Sequence, residues 1–471
     1  MNKLIKIAWR NLWRNKKRTL ITAASIFFAV FFAILMRSFQ LGSYDYMIDQ
    51  SIEAFSGYLQ VQSPDYSDDP SLENSFVCTP EILEKINQTG NIKAAVPRIE
   101  SFALASNGSQ SKGVLVSGIS PEMEKKLSNP YHQLVRYRFE EKAISALEKG
   151  GKIPAVLLKK IRNFQNYSFS SEARIELDLG LSKEESKKYL PEIVKHTTIE
   201  ANYLSETDDG VLVSDKLSKY LKVDVGDSIV LMGQGYEGSS AAGIFPIRGI
   251  VKVPSPELDN KLVYMTLAAA NTFYGLDGRI TAIAINLHNN DEMQSTQQLL
   301  SSELPSTDFV VKNWEEITPT LKQQIEGDSK SGQIFLAVIY IIVFFGIFGT
   351  VMMMVAERMK EFGMMVAVGM KQAKLATILT LEMFFLGIIG AVSGTLASIP
   401  LILLGHYYPV KLTGEVAKMY EDMGFQAIMP TALFDPYFFT QGMIILVMVF
   451  LACYSPVRSI LKINVIKAIH G

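Results

Sequence analysis

The chain is poor in the residues that most often carry catalysis or bind metals. Its 471 residues include only 5 His and 2 Cys, and the histidines are scattered, which disfavours both metal-ligand spacing and a Ser-His-Asp arrangement. Cys78 lies in a polar stretch and Cys453 in an apolar run, so a disulfide between them is implausible. We therefore expect neither catalytic residues nor a metal site, and no enzyme activity in this chain.

Two further absences exclude other classes of function. No GxxxxGK[ST] loop occurs, and the stretches GQGYEGSS and EKGGKIP lack the Lys-Ser/Thr that closes such a loop around phosphates. This chain should therefore bind no ATP, and no cofactor is predicted in it. Its net charge is −1, from 46 Lys+Arg and 47 Asp+Glu, without the basic excess of a nucleic-acid-binding protein.

The sequence contains four long apolar runs. Crossing the hydrocarbon of a bilayer takes about 20 apolar residues, and the runs predict transmembrane helices at 19–40, 331–356, 375–404 and 437–455. The first run is long for the core of a signal peptide, and no small-residue cleavage site closes it. We interpret it as an anchor.

Basic residues mark one side of these helices. Residues 1–18 contain Lys and Arg but no acid, and further Lys and Arg occur in 357–374 and 456–471. Lys and Arg favour the cytoplasmic side of a membrane. All three segments are therefore predicted to be cytoplasmic, with 41–330 and a short loop at 405–436 on the other side.

The first of these segments, 1–18, also has a helical pattern. Its apolar residues, including Trp9 and Trp13, share one face and its bases another, which is typical of an amphipathic helix at the membrane surface. A simple basic anchor for the first span is the alternative, and both interpretations are compatible with each other.

The external region 41–330 predicts an α+β domain. Alternation in GYLQVQ, and two apolar stretches around the turn SNGSQ, are typical of strands. Residues 121–205 are charged and helical in pattern, so they predict a second lobe. In 41–56 and 313–330 apolar residues recur at three- and four-residue steps. We interpret these two segments as helical stalks that extend the spans, with ordinary domain helices as the alternative.

The third span contains both small residues and one acid. Its stretch GIIGAVSGTLAS places Gly387, Gly390 and Gly394 at steps that let helix backbones approach closely. Packing within the chain and a seam between two copies both fit this pattern. Glu382, in the same span, is a functional candidate because it is ionisable, although pairing with a nearby Lys or Arg also accounts for it.

The stretch ERMKEFGMMVAVGMKQAK, residues 357–374, separates the second and third spans. Its ends are charged and its middle is apolar, as in a short helix on the membrane surface that inserts its apolar side into a groove of another protein. An ordinary interfacial loop has the same pattern. Phe362, Met365 and Val368 recur at three-residue steps and are predicted to share the docking face.

This stretch resembles the E-R-x-x-E-[IF]-G-x-x-x-A-[IV]-G segment of FtsX-like ABC permeases, the superfamily of macrolide-exporter (MacB-type) and lipoprotein-releasing (LolC/LolE-type) permeases. AWRNLWRNKKRTLITAASI and YSPVRSILKINVIKAIHG are similar to segments near the family's two ends, and Asn464 replaces a Pro in the second. In the family the central segment is the coupling helix that contacts the ATPase. With Met365 from the apolar face, the predicted ATPase-coupling residues are Glu357, Arg358, Glu361, Phe362, Gly363, Met365, Ala367, Val368 and Gly369, and the motif match extends to Glu382.

The resemblance implies both a fold and a function. The fold is an α-helical membrane protein with four transmembrane helices plus a large α+β periplasmic domain on helical stalks, like a type VII ABC transporter. The function is that of a bacterial inner-membrane permease subunit, which uses ATP hydrolysed with Mg by a separate ATPase to extract or export a lipoprotein, a lipid or another hydrophobic cargo. Mechanotransmission to a periplasmic enzyme, or MacB-like efflux of peptides or drugs, is the alternative.

The resemblance also implies a set of partners. ABC ATPases act as dimers, whereas one chain has one coupling segment, so an ATPase dimer and a second permease copy or paralogue are expected. Membrane lipid, the cargo and a periplasmic partner are expected as well, and nucleic acid is not.

Overall fold

The computed structural model describes residues 2–14, 16–412, 414–416, 420, 428–433 and 436–464. Predictions for the remaining positions, which include 465–471 of the tail and parts of the loop 405–436, lie outside the described residues. The chain divides into two compact units. These are a membrane unit, Met1–Tyr46 with Lys322–Thr413 and Ile428–Gly471, and an external unit, Met47–Leu321 with Gly414–Ala427.

The α-helices of the described residues include both long apolar helices and short helices. In chain order they are α1 (Asn2–Arg14), α2 (Lys16–Ile48), α3 (Pro80–Asn87), α4 (Pro121–Glu124), α5 (Pro130–Gln133), α6 (Glu141–Gly150), α7 (Ala155–Asn163), α8 (Glu172–Leu179), α9 (Lys183–Thr197), α10 (Asp215–Leu221), α11 (Pro256–Asp259), α12 (Leu267–Tyr274), α13 (Met293–Glu303), α14 (Trp314–Ile317), α15 (Pro319–Glu357), α16 (Met359–Ala367), α17 (Gln372–Tyr407) and α18 (Tyr437–Leu461).

Most of the strands lie in the external unit. In chain order they are β1 (Leu59–Gln62), β2 (Phe76–Val77), β3 (Ile92–Ser106), β4 (Ser111–Ile119), β5 (Tyr137–Arg138), β6 (Ser168–Phe169), β7 (Val211–Ser214), β8 (Ser228–Gln234), β9 (Ser240–Val251), β10 (Leu262–Thr266), β11 (Arg279–Ile280), β12 (Ala282–Leu287), β13 (Val310–Asn313), β14 (Val410–Lys411) and β15 (Ile428–Met429).

The predicted fold class is confirmed: among the described residues four helices are long and apolar enough to cross a membrane, and a large α/β domain accompanies them. The candidate spans are Thr19–Ile52, Pro319–Glu357, Gln372–Tyr407 and Tyr437–Leu461. All four helices are longer than the apolar runs alone. The extra turns of α2 and α15 lie on the external side, where the sequence predicts stalks.

The joints between these long helices and the external unit have identifiable local causes. After α2 the chain continues as a π-helix, Asp49–Ser56, and stops at Gly57, whose φ is 71°. A Cβ there would lie 2.7 Å from the carbonyl oxygen of Ile285, so glycine is required. On the return path α14 ends at Ile317, Thr318 is non-helical, and α15 begins at Pro319. The segment 313–330 is therefore two helices rather than one.

The external unit is built around one nine-stranded sheet with the order β13-β1-β12-β3-β4-β10-β7-β9-β8. Strand β8 also pairs with the end of β3, so the six strands from β3 to β8 in this order close on themselves. The predicted hairpin at SNGSQ is confirmed as the β3–β4 turn. The Oδ1 atom of Asn107 accepts hydrogen bonds from the backbone of Ser109 and Gln110 there, each at 3.0 Å.

Residues 137–197 form a helical cluster with its own apolar core, which includes Phe139, Ile144, Ile161 and Ile193. This cluster corresponds in position to the helical part of 121–205. The Arg138 guanidinium joins it to the sheet region through Asp224, 2.9 Å away, and Asp215, 3.4 Å away.

A fully buried ion pair joins strand β3 to helix α4. The Nη2 atom of Arg98 is 2.5 Å from Oε1 of Glu124, and neither side chain is exposed. The hydroxyl of Ser128 donates to the same carboxylate, and the guanidinium carbon lies 5.0 Å from the centre of the Phe55 ring in the π-helix. Because burial makes each charge depend on the other, this pair links the sheet to the segment that follows α2.

Glu124→Gln should destabilise the external unit by up to about 3–5 kcal/mol, because the buried guanidinium loses its closest counter-charge and keeps Glu100, 3.4 Å from Nη1. Glu148→Gln is the control, since Glu148 pairs with Arg162 at the surface. Hydrogen exchange of β3 amides in urea, measured on the full chain in detergent, gives the unfolding midpoint. Equal midpoints for Glu124→Gln and the wild type would contradict a stabilising role for the pair.

Candidate functional site

The stretch 357–374 contains one short helix, α16, between the second and third spans. Arg358 precedes it in a non-helical conformation, and the helix stops at Gly369, whose φ is 101°. The N–H groups of Gly369 and Met370 donate to the carbonyls of Val366 and Met365, at 2.9 and 3.0 Å. This is the Schellman arrangement that ends a helix at glycine. Gly363 is buried within the helix.

The two faces of α16 differ from the prediction. Phe362 is 2% exposed and belongs to the apolar core of the membrane unit, against which Met365 also packs, whereas Val368 is 89% exposed. Phe362, Met365 and Val368 therefore do not share a docking face. The periodicity correctly predicts a helix. However, residues spaced three apart rotate gradually around the helix axis, so this spacing does not define which side of the helix faces inward.

The exposed side of α16 and of the residue that follows it consists of four residues. Three of them are spaced four residues apart, and the fourth is Ala367. Met364 is 54% exposed, and Lys360 and Ala367 are exposed beside Val368. We call these four residues the outer face. The rest of the chain leaves these side chains uncovered, so the outer face is the part of the segment available to lipid or to a partner.

The charged residues at the start of the segment form a polar cluster, which we define as Asn11, Arg14, Arg358, Glu361 and Glu382. Glu382 is 2% exposed; one carboxylate oxygen accepts from Nη1 of Arg358 and the other from the amide of Asn11, each at 2.7 Å. Glu382 thus pairs with an arginine, which is one of the two interpretations that the sequence allowed for this acid.

The second acid of the cluster, Glu361, lies nearer the surface. Its carboxylate accepts from Arg14 at 2.5 Å and lies 3.5 Å from Nε of Arg358. The donation from Arg14 holds the pKa of Glu361 below its usual range. Around these groups lies a cavity of about 260 Å³, and Glu357 is among the residues that line it.

Asn11 and Arg14 were not predicted as site residues. Each lies more than 340 positions from its partner in the sequence, and the bases of 1–18 have no pattern that separates Arg14 from the rest. The only signal was indirect: an acid inside a span, such as Glu382, needs a hydrogen-bonding partner.

The three small residues of the third span pack against other helices of the same chain. A Cβ on Gly390 would lie 2.5 Å from the Ile26 side chain, and one on Gly394 would lie 2.7 Å from the carbonyl oxygen of Phe27. Gly387 faces Leu446 on α18. Packing within the chain is therefore the arrangement seen, and these glycines bring α17 close to α2 and α18.

An apolar groove of about 730 Å³ runs between α2 and α15. The α2 side includes the aromatic rings of Phe28, Phe32 and Phe39, and the hydroxyl of Ser25 is the groove's one polar lining group among the described residues. The groove is lined by Ser25, Phe28, Ala29, Phe32, Leu35, Met36, Phe39, Phe335, Ile339, Ile342, Val343 and Gly346. Among the residues that the structure describes, no group of His, Cys, Asp or Glu is arranged to hold a metal ion.

Phe362→Asp should destabilise the membrane unit, because loss of a buried Phe side chain alone costs about 3–5 kcal/mol and an unpaired carboxylate adds to this. Lys360→Ala, on the outer face of the same helix, should leave stability unchanged. The check is thermal stability of the detergent-solubilised chain by size-exclusion chromatography. A Phe362→Asp variant as heat-resistant as Lys360→Ala would place Phe362 outside the core.

Comparisons with known proteins find a family model that matches part of the membrane unit and several relatives of the chain. The sequence profile of the FtsX-like permease C-terminal family matches residues 333–465. The lipoprotein-releasing system transmembrane protein LolC of Xylella fastidiosa is 21% identical over 267 residues, which are 55% of this chain and 64% of that protein. LolC of Neisseria meningitidis is 20% identical over 335 residues, covering 70% of this chain and 65% of that protein. This chain thus spans a little under two thirds of these relatives.

Two solved structures resemble the chain at lower similarity. The periplasmic region of MacB from Actinobacillus actinomycetemcomitans has a TM-score of 0.29 and 12% identity, and covers 57% of this chain and 92% of that one. The extracellular domain of the transporter YknZ from Gram-positive bacteria has a TM-score of 0.27 and 11% identity, over 54% and 99%. The LolC relatives are transmembrane proteins, and this chain has candidate membrane spans of its own among the described residues. Residues 333–465 thus match the FtsX-like permease C-terminal family, and 55% of the chain is similar to LolC of Xylella fastidiosa.

Proposed function

We propose that this chain is a permease that couples ATP hydrolysis by a separate ABC ATPase to the extraction of a lipid-anchored protein or similar hydrophobic cargo at the periplasmic face of the inner membrane. The proposed coupling to an ATPase is supported mainly by one observation. On the outer face of α16, Met364 and Val368 are exposed beside a buried Phe362. ATP and Mg would be held by the ATPase, and this chain supplies no residue to the hydrolysis.

The division of α16 into two faces suits a transmission element. Its inner face is fixed to the membrane unit by Phe362, and the polar cluster ties its first turn to α17 through Arg358 and Glu382. Force applied to the outer face would therefore act on α15 and α17 rather than only bend a loop. Because ABC ATPases act as dimers and each chain has one such segment, we propose that two permease chains assemble with them.

The proposed nature of the cargo is argued from the groove between α2 and α15. An apolar groove within the membrane region suits an acyl chain, because hydrocarbon gains nothing from polar partners and is excluded from water. The groove's one polar lining group among the described residues is Ser25, which leaves little to recognise a polar substrate inside it. A lipid anchor therefore fits the groove better than a peptide or a polar drug.

Val368→Asp should weaken ATPase docking. One well-buried large apolar side chain contributes about 1.5–3 kcal/mol, which corresponds to about 10- to 150-fold in Kd. Val156→Asp is the matched control, because Val156 is 75% exposed on α7 in the external unit. The measurements are ATPase copurification and stimulation in nanodiscs. Full binding and stimulation by Val368→Asp would make 357–374 an ordinary loop.

A photocrosslinking amino acid at Phe32, in the groove, should capture an acylated protein from native membranes. The same residue at Phe439, which is 84% exposed on α18, is the control and should capture bulk lipid only. Capture of peptides or drug-like molecules at Phe32 would instead indicate efflux. Equal bulk-lipid adducts at both positions, with a periplasmic hydrolase copurifying, would favour mechanotransmission over cargo extraction.

A further inference from the structure

The amphipathic helix α1 is joined to the coupling segment by more than chain connectivity. It contributes two side chains to the polar cluster: the Asn11 amide donates to Glu382 at 2.7 Å, and the Arg14 guanidinium donates to Glu361 at 2.5 Å. The two acids lie on different helices, α17 and α16. A single helix on the membrane surface thus bonds to both elements that meet at the coupling segment.

Packing of the other residues of α1 fixes the orientation of this helix. Ala8 and Leu12 are buried, while Trp9 and Trp13 are 45% and 51% exposed. The Trp9 ring lies edge-on to Phe385 of α17, with centroids 5.6 Å apart. Packing on one side of the helix therefore directs Asn11 and Arg14 toward the acids, while the tryptophans remain available to the membrane surface.

The bend between α1 and α2 is also bonded. The hydroxyl of Thr19 donates to the carbonyl oxygen of Leu12 at 2.5 Å, across the junction of the two helices. Displacement of α1 would thus reach α2, which forms the aromatic wall of the groove. The coupling segment is covalently continuous with α15 and α17, and α1 adds a hydrogen-bonded connection to α2.

We propose that Asn11 and Arg14 are positioning residues of the coupling site, and that α1 is a second transmission arm from the coupling segment to the first span. This inference rests on the proposed function and adds a route to it. Neither residue touches ATP or cargo; Arg14 orients Glu361 at the first turn of α16, and Asn11 completes the coordination of Glu382. The interpretation of 1–18 as a simple basic anchor does not require either contact.

The contact between Arg14 and Glu361 is suited to a charge-swap experiment, because both side chains are partly exposed, at 57% and 44%. Exposed ion pairs contribute little to stability, so reversing one charge should not unfold the chain. Arg10→Glu is the matched control: Arg10 is exposed on the same helix one turn earlier, and the substitution changes the helix charge by the same amount.

The test compares Arg14→Glu, Glu361→Arg, their double variant and Arg10→Glu in nanodiscs with the ATPase. Each single reversal should lower maximal ATPase stimulation about five- to tenfold, the lower part of the range for coupling between sites. The ATPase concentration at half-saturation should be unchanged, because the outer face is intact. The double variant should recover most of the stimulation, and Arg10→Glu should resemble the wild type.

Two results would overturn the inference: Arg14→Glu behaving like Arg10→Glu, or a double variant that does not recover. Val368→Asp in the same assay separates this from failure of the proposed function. If Val368→Asp abolishes stimulation while Arg14→Glu does not alter it, only the second arm is wrong. If neither variant alters stimulation, the coupling role of the whole segment is wrong.

Discussion

The buried carboxylate of Glu382 is the constraint on which the cytoplasmic half of the membrane unit depends. A charge inside a span is costly unless hydrogen bonds and an opposite charge surround it. Here Arg358 and Asn11 each occupy one carboxylate oxygen. To do so, the end of α15, the start of α16 and the helix α1 must all lie against α17. A loop that could otherwise adopt many conformations is therefore held in one.

Close helix contact makes this arrangement possible. Gly390 and Gly394 let α17 approach α2 so closely that a single methyl group would collide with Ile26 or with backbone. Because α1 precedes α2 directly, the spacing between α2 and α17 also bears on the position of Asn11. The small residues thus set the distance between α17 and α2, and the buried acid forms its hydrogen bonds within that arrangement.

The external unit depends on a comparable buried pair, Arg98 with Glu124, but the two pairs differ in what holds them. Arg98 lies on a long central strand, so the sheet itself fixes its position. Arg358 lies at a non-helical residue between two helices, where side-chain contacts with Glu361, Glu382 and the Phe362 ring hold it. An ion pair at such a joint is well placed to respond to a force on α16, whereas one inside a sheet mainly stabilises.

Sequence reasoning located the spans, the β3–β4 hairpin and the coupling segment, because each depends on local composition or on a contiguous motif. It did not assign the faces of α16, since Phe362 and Val368 are both apolar and only tertiary packing decides which is buried. It also missed Asn11 and Arg14, whose partners are hundreds of residues away, and the break at Thr318, where Pro319 was the only local sign. Local patterns thus defined the elements, while long-range contacts defined the site.

The central claim is that the outer face of α16 meets an ABC ATPase while its inner face belongs to the membrane core. Site-specific photocrosslinking in intact membranes tests this most directly, with the crosslinker at Val368 and, as a control, at Lys187, which is exposed on α9 in the external unit. The account predicts an ATPase adduct from position 368 and none from position 187. Absence of an ATPase adduct at 368, or equal adducts at both positions, would contradict it.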